Sequence, residues 1–284
     1  MTRAGEGDPF LITGPALISF SGGRTSAYML WRILQAHGGT LPDDVHVCFA
    51  NTGKEREETL RFVHECGTRW GVRVRWLEWR SRLKRTPVGE RFEEVGFNSA
   101  ARNGEPFAAL IASKNALPNQ EHRWCSAHLK VQSMHDFMAT VGFKPGEFVE
   151  MIGLRGDENW RVIKMLARNE IEGRNCRAPL SSATVTKREV MAFWQEQDFD
   201  LGLRPVDGNC TLCFMKGRQN IGSLIREDAA LADWWIEQEV GIGATFSSRH
   251  SIAEIARSVD SQPQFEGFDE YDSECGLWCS GEAA

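Results

Sequence analysis

Short apolar runs alternate along the first part of the chain with stretches whose apolar positions recur at helical spacing. Leu17 to Phe20 reads as a first strand, and Arg24 to about His37 as a helix. VHVCFANTG, from Val45 to Gly53, reads as a second strand ending in a turn. EREETLRFVHECGTRW has helical spacing at Leu60, Val63 and Cys66, with acids in its first turn. VRVRWLEW is a third strand, followed by a polar, irregular stretch to about Glu105 that reads as a surface insertion. Phe107 to Lys114 and Leu129 to Val141 are expected to be helical. EFVEMIGLR is a fourth strand, and a helix is expected from about Asp157 to Asn169. After Cys176 the pattern loosens, and TKREVMAFWQEQ, IGSLIRED and LADWWIEQE read as helices.

Strands alternating with helices predict a parallel sheet with right-handed crossovers, an α/β fold. Residues 1–175 are expected to form the nucleotide-binding α/β domain, 176–259 a smaller, mostly helical, cysteine-containing lobe, and 260–284 a flexible acidic tail. Ligands of such sheets sit at the carboxyl ends of the strands. SGGRTS, NTGKE and GLRGDE all fall there.

Composition adds limits. The chain has 284 residues and is 42% hydrophobic and 25% charged, which suits a soluble globular protein with one sizeable core. No apolar run approaches the roughly 20 residues of a membrane span. The first residues lack the apolar centre of a signal peptide, so the expected location is the cytoplasm, away from membranes. Thiols stay reduced there, and the eight cysteines point to metal or redox work more than to disulfides. The net charge of −6 is unevenly spread. Between Arg69 and Arg91 lie eight basic residues against Glu78 and Glu90, whereas the stretch from Asp260 onward has seven acids and no Lys or Arg. The basic stretch is either a solvated edge or a face for an anionic partner such as nucleic acid.

The candidate chemistry starts at Ser21. Gly22 and Gly23 permit a tight turn, the following helix presents its positive end, and Ser21, Thr25 and Ser26 add hydroxyl donors, with charge from Arg24. This suits a phosphate, but it is neither a Walker A loop nor a dinucleotide fingerprint. In context the loop resembles the SGGxxS pyrophosphate loop of the N-type ATP pyrophosphatases. More narrowly, the chain resembles the phosphoadenosine phosphosulfate (PAPS) reductase family. NTGKEREETLRFV is similar to that family's second-strand element, RWCSAHLKV to its R-x-C…K segment, and GLRGDENWR to its G-x-R-x-D/E element. The resemblance spans about Leu17 to Gly217 and implies the adenine nucleotide α-hydrolase version of the Rossmann-like sheet.

Carried over, the resemblance implies that Ser21, Gly22, Gly23, Arg24, Thr25 and Ser26 hold phosphates. Asn51, Thr52 and Gly53 would face the adenosine, with Lys130 also at the nucleotide. Arg155 and Arg161 would meet phosphate or sulfate oxygens during catalysis. Asp157 and Glu158 would bind Mg²⁺, unless they only complement the dipole of their helix. The family's commonest loop is SGGKDS, so Arg24 and Thr25 are departures.

Cys210 and Cys213 form a C-x-x-C turn, half of a metal site. In reductases of the adenosine phosphosulfate (APS) type, a cysteine pair and a later C-x-x-C hold a 4Fe-4S cluster. That resemblance implies Cys125, Cys210 and Cys213 as ligands; one cysteine of the pair is absent here, and Cys176 would supply the fourth ligand of the cluster. A Cys₄ zinc site, or scattered thiols, are the alternatives. Cys48 and Cys66 read as core. ECGLW near the carboxyl end is similar to the family's ECG ending, which would make Cys275 a nucleophile, with Cys279 as a disulfide partner.

Three functions follow. The first is ATP-dependent adenylation of an acceptor, nucleic acid being one candidate, with release of pyrophosphate; a sulfur held at the iron-sulfur centre or carried by Cys275, with a donor protein as its candidate source, then displaces AMP. The second is reduction of APS or PAPS to sulfite through Cys275. The third is a non-catalytic nucleotide- and metal-binding module.

Overall fold

The computed structural model describes residues 7–81, 85–204 and 206–259. Six strands form one sheet in the order β4-β3-β2-β1-β5-β6. They are β1 (Ala16–Ser19), β2 (Val45–Asn51), β3 (Val74–Trp79), β4 (Phe92–Val95), β5 (Val149–Ile152) and β6 (Cys176–Arg177). All neighbours are parallel except β3 and β4. The fold is thus a mostly parallel, Rossmann-like α/β sheet, as the alternation of strands and helices predicts.

Ten α-helices accompany the sheet among the described residues. The first five are α1 (Arg24–Ala36), α2 (Glu57–Arg69), α3 (Glu105–Lys114), α4 (Ser133–Thr140) and α5 (Asn159–Glu172). They are followed by α6 (Pro179–Ser182), α7 (Lys187–Gln195), α8 (Arg218–Glu227), α9 (Asp233–Ile242) and α10 (Ile252–Ser258). A π-helix, Ser126–Gln132, runs straight into α4.

Strand alternation divides the core. Ile18, Val47 and Phe49 face one side and pack with Ile33 of α1, Val63 of α2 and Trp194 of α7. Leu17, Cys48 and Ala50 face the other, with Phe137 and Met138 of α4. Cys48 and Cys66 are fully buried in these layers, as expected of core thiols. A separate cluster joins α3 to α8, α9 and α10 through Phe107, Leu224, Trp235 and Ile255. Residues 176–203 therefore side with the sheet, through β6 and α7, and the separate helical cluster draws on the later residues and α3.

Two strands were not legible in the pattern. β4 lies in the stretch that reads as an irregular insertion, and it pairs antiparallel with β3, Leu77 opposite Glu94 and Glu78 opposite Glu93. β6 has only two residues. The acids of β4 change the charge picture. Arg73 and Arg75 pair with Glu94, Arg80 with Glu93 and Glu78, Arg91 with Asp136, and Arg69 with Glu65 and Asp198. Much of the basic stretch is thus neutralised within the fold, and it is not an open cationic face along β3.

A buried charge cluster sits on β5 beside the β6 edge of the sheet. Glu150 on β5 accepts from Nε of Arg174 at 2.8 Å and lies 3.1 Å from Nε2 of His135. Burial opposes its ionisation, but the bonds from His135 and Arg174 win and hold its pKa down to about 2. A carboxyl held below its ordinary value stabilises the fold above that value and loses the contribution as pH falls toward about 2. Glu150→Gln is therefore expected to remove stability on the order of 3 kcal/mol near pH 7. It should also flatten the acid limb of a urea-denaturation series between pH 5 and pH 2. An acid limb as steep as the wild type's would locate the acid sensitivity elsewhere.

Candidate functional site

The chain runs outward from β1 to β4, then returns to place β5 on the other side of β1. This makes β1 the switch point, where an open α/β sheet leaves a crevice at its carboxyl edge. The ends of the three adjacent strands β2, β1 and β5 carry NTG, SGG and GLR respectively. Close packing at this edge needs glycine. Gly22 has φ +79°, and a Cβ there would lie 2.7 Å from Cγ2 of Thr59. Gly153 passes so near α1 that a Cβ would stand 3.1 Å from the Cα of Ser26.

Ser26 closes the loop. Its hydroxyl donates to the Gly23 carbonyl at 3.0 Å and accepts from the Ser21 amide at 3.2 Å. It also lies 2.9 Å from the Ser21 hydroxyl. The N-cap of α1 is Gly23, which offers no side chain to its leading amides. An uncapped helix start behind a glycine turn leaves amide donors and the positive end of the helix dipole at this edge.

Arg24 does not serve that site. Its guanidinium turns to the segment after α7, donating to Asp200 at 2.7 Å and to the Leu203 carbonyl at 3.0 Å. The expectation that it adds charge to the phosphates is corrected by this anchor. Thr25 instead accepts from Nη1 of Arg155 at 3.0 Å, so Arg155 braces the head of α1.

Asp157 and Glu158 are also committed. Asp157 accepts from Nε of Arg155 at 3.0 Å and from the Lys187 amide at 3.2 Å. Glu158 accepts from the Arg155 amide at 2.9 Å and from Nη1 of Arg161. Each of the four carboxylate oxygens thus has a donor within the fold. Nη2 of Arg161 is buried without a hydrogen-bond partner.

On β2, the Asn51 side chain is spent on structure. It donates to Glu78 at 2.7 Å and to the Ala101 carbonyl at 2.8 Å, and accepts from the Gly53 amide at 3.1 Å. Glu55 does more than sequence reading indicates. Its Oε2 accepts from the amide and hydroxyl of Thr52 at 2.8 and 2.7 Å. Its Oε1 lies 3.3 Å from Nζ of Lys130 and 3.9 Å from Sγ of Cys210. Lys130 is thereby brought to the carboxyl edge, and Cys125 precedes it by five residues, one turn of a π-helix.

The C-x-x-C turn reaches this edge through backbone pairing. Glu55 and Cys210 form an antiparallel bridge, Arg56 N–H donates to the Asn209 carbonyl at 2.8 Å, and Thr211 N–H donates to that of Lys54 at 2.9 Å. The side chain of Asn209 then donates to the Ser21 carbonyl at 3.0 Å, tying the cysteine turn to the glycine loop. Lys216 staples the turn from below, donating to the carbonyls of Asp207, Cys210 and Thr211. Burial pushes its ammonium down to about 8, against the pull of Cys213 and Cys210.

Cys176 is elsewhere. It pairs with Glu150, level with Leu17 and His46, whereas the cysteine turn lies beyond Asn51, five residues further along β2. That is roughly 16 Å of strand. Burial raises its thiol pKa well above the ordinary value, and its backbone is held on both sides by Asn169. The four-cysteine set therefore does not assemble, because β6 commits Cys176 to the core. Among the described residues, no group of three or more His, Cys, Asp or Glu side chains is arranged to hold a metal ion. Replacing Cys176 with serine is accordingly expected to leave iron and zinc content unchanged in an anaerobic preparation. Loss of metal in that variant would restore it as a ligand. Cys275 and Cys279 lie outside the described residues. No helix among the described residues is long and apolar enough to cross a membrane.

Fold and site together define a Rossmann-like α/β protein with a glycine loop and an uncapped helix start at its switch point and a cysteine turn tied to that loop. The chain belongs to the family of the uncharacterized nin region protein ORF290 of Escherichia phage lambda. The two are 30% identical over 241 residues, which cover 84% of this chain and 79% of the phage protein. An uncharacterized protein of Methanocaldococcus jannaschii is 28% identical over 127 residues, 45% of this chain and 20% of that protein. No family model matches, so the PAPS reductase resemblance stands on its motifs alone. Among solved structures, the U34-tRNA thiolase NcsA from Methanococcus maripaludis with its 4Fe-4S cluster aligns over 90% of this chain and 74% of that chain. Its TM-score is 0.37 at 12% identity, too loose a likeness to carry an argument.

Proposed function

We propose that the protein is an adenine-nucleotide-dependent enzyme of sulfur chemistry. An acceptor oxygen attacks the α-phosphate of ATP, an O–P bond forms, and pyrophosphate leaves. A hydrosulfide-level sulfur then bonds to the acceptor carbon, the C–O bond breaks, and AMP leaves with the oxygen. The observation that carries this reading is the Asn209–Ser21 bond, which places the cysteine turn beside the phosphate loop. The loop and the head of α1 supply amide donors for the leaving pyrophosphate. Arg155 holds Thr25 in place there, and Lys130 and Lys54 add positive charge at the thiol side of the site. A 4Fe-4S cluster or a zinc ion on the four expected cysteines does not fit, and no step is assigned to either.

The test is incubation of the anaerobic full chain with ATP, APS and PAPS in turn. ATP is given with hydrosulfide and either tRNA or duplex DNA. Pyrophosphate from ATP, dependent on one acceptor, is the expected result. Sulfite from APS or PAPS with a thiol reductant, and no pyrophosphate, would replace this reading with the reductase. Nucleotide binding without turnover of any of the three would leave a binding module.

A further inference from the structure

Beside the glycine loop, the first turn of α2 holds donors that the fold does not use. Nε and Nη2 of Arg56 are buried and have no hydrogen-bond partner. The same is true of Oγ1 of Thr59, whose side chain is wholly buried. Arg56 is the N-cap of α2 and Thr59 its third residue, the two positions whose side chains meet across a helix start. Neither forms a cap there. The nearest anion to Arg56 is Asp207, 3.6 Å away and already accepting from the backbone and guanidinium of Arg204.

Buried donors left unmade cost more than most contacts contribute, and a native structure that keeps several calls for a ligand or an ordered water. Their place singles out the ligand. Thr59 Cγ2 sits so close to Gly22 that a Cβ on the glycine would be 2.7 Å away. Arg56 is bonded through its amide to Asn209, whose side chain holds Ser21. The starts of α1 and α2 thus both reach the loop: the Thr59 side chain packs on Gly22, and the Arg56 guanidinium, next to Asn209 along the chain pairing, lies beside Asp207 with Nε and Nη2 unbonded.

We propose that Arg56 and Thr59 form a second anion subsite, which takes oxygens of a pyrophosphate group whose other phosphate lies on the Ser21–Ser26 loop. This rests on reading that loop as a phosphate site, but not on turnover. Arg56 and Thr59 would be binding residues that hold the leaving pyrophosphate from the α2 side.

The probe is inorganic pyrophosphate, titrated calorimetrically into the full chain. Thr59→Val is isosteric and forfeits no hydrogen bond of the fold, so its ligand-free melting temperature should equal or exceed the wild type's. Its affinity for pyrophosphate should fall at least fivefold, and that of Arg56→Gln at least tenfold. If Thr59→Val binds pyrophosphate as the wild type does, the hydroxyl faces a structural water and the proposal is overturned. A wild-type chain that does not bind pyrophosphate overturns it as well. Pyrophosphate binding that both variants weaken, in a protein that releases none from ATP, upholds the subsite and removes the catalytic reading alone.

Discussion

Replacing Glu55 with glutamine is expected to destabilise the protein by about 3–5 kcal/mol and to abolish most pyrophosphate release from ATP. The carboxylate is buried, and both of its oxygens face donors: the Thr52 amide and hydroxyl on one, the Lys130 ammonium on the other. Glutamine has one oxygen. Its amide nitrogen must face either Thr52 or Lys130, donor against donor, and the buried ammonium loses its facing charge. Function suffers with it, because the same side chain joins the end of β2, the π-helix and the cysteine turn. A double-mutant cycle separates this account from loss of packing. Combining Glu55→Gln with Lys130→Met should recover part of the lost stability in urea unfolding, since the cation that faced the carboxylate goes with it. Strict additivity of the two losses would show that the pair is not coupled.

Glu55 also shows what the sequence conceals. In NTGKEREE it stands among acids and bases at a helix start, where charge complementing the dipole is the ordinary explanation. Only the antiparallel bridge to Cys210, 155 residues away, gives it a second role. The three strand-end motifs were legible because glycines and polar residues followed apolar runs at each end, and a parallel sheet delivers such ends to one edge. The sharing-out of the cysteines was not. Cys210 is marked by its C-x-x-C spacing, but Cys176 belongs to a strand of two residues that no periodicity marks. The charged face along β3 stayed open between two readings for a related reason. The acids that neutralise it come from β4, whose FEEV reads as polar surface until it is paired. Arg24 and Thr25, departures from the commonest family loop, find their explanation together. Arg24 anchors the loop to Asp200, and Thr25 offers Arg155 a neutral acceptor where an acid would have paired with it.

Substituting Gly22 with alanine should reduce pyrophosphate release from ATP at least 100-fold and cost about 2–4 kcal/mol of stability. Two separate penalties meet at this position. The backbone is left-handed, at φ +79°, a region in which a Cβ is strained. The Cβ would also lie 2.7 Å from Cγ2 of Thr59 and 3.1 Å from both Phe49 and Val63, none of which can retreat within the core. The loop must move instead, and it is the loop that aims the amides. Gly38 supplies the control, since it has φ +66° but nothing within 4 Å of its Cβ direction. Gly38→Ala should show the backbone cost alone, about 1 kcal/mol, with turnover unchanged. Adding Thr59→Ser to Gly22→Ala removes the closest methyl while keeping the hydroxyl, and should restore part of the stability and of the pyrophosphate affinity. If Gly22→Ala and Gly38→Ala lose stability and turnover equally, close packing of the loop on α2 is not what the glycine provides.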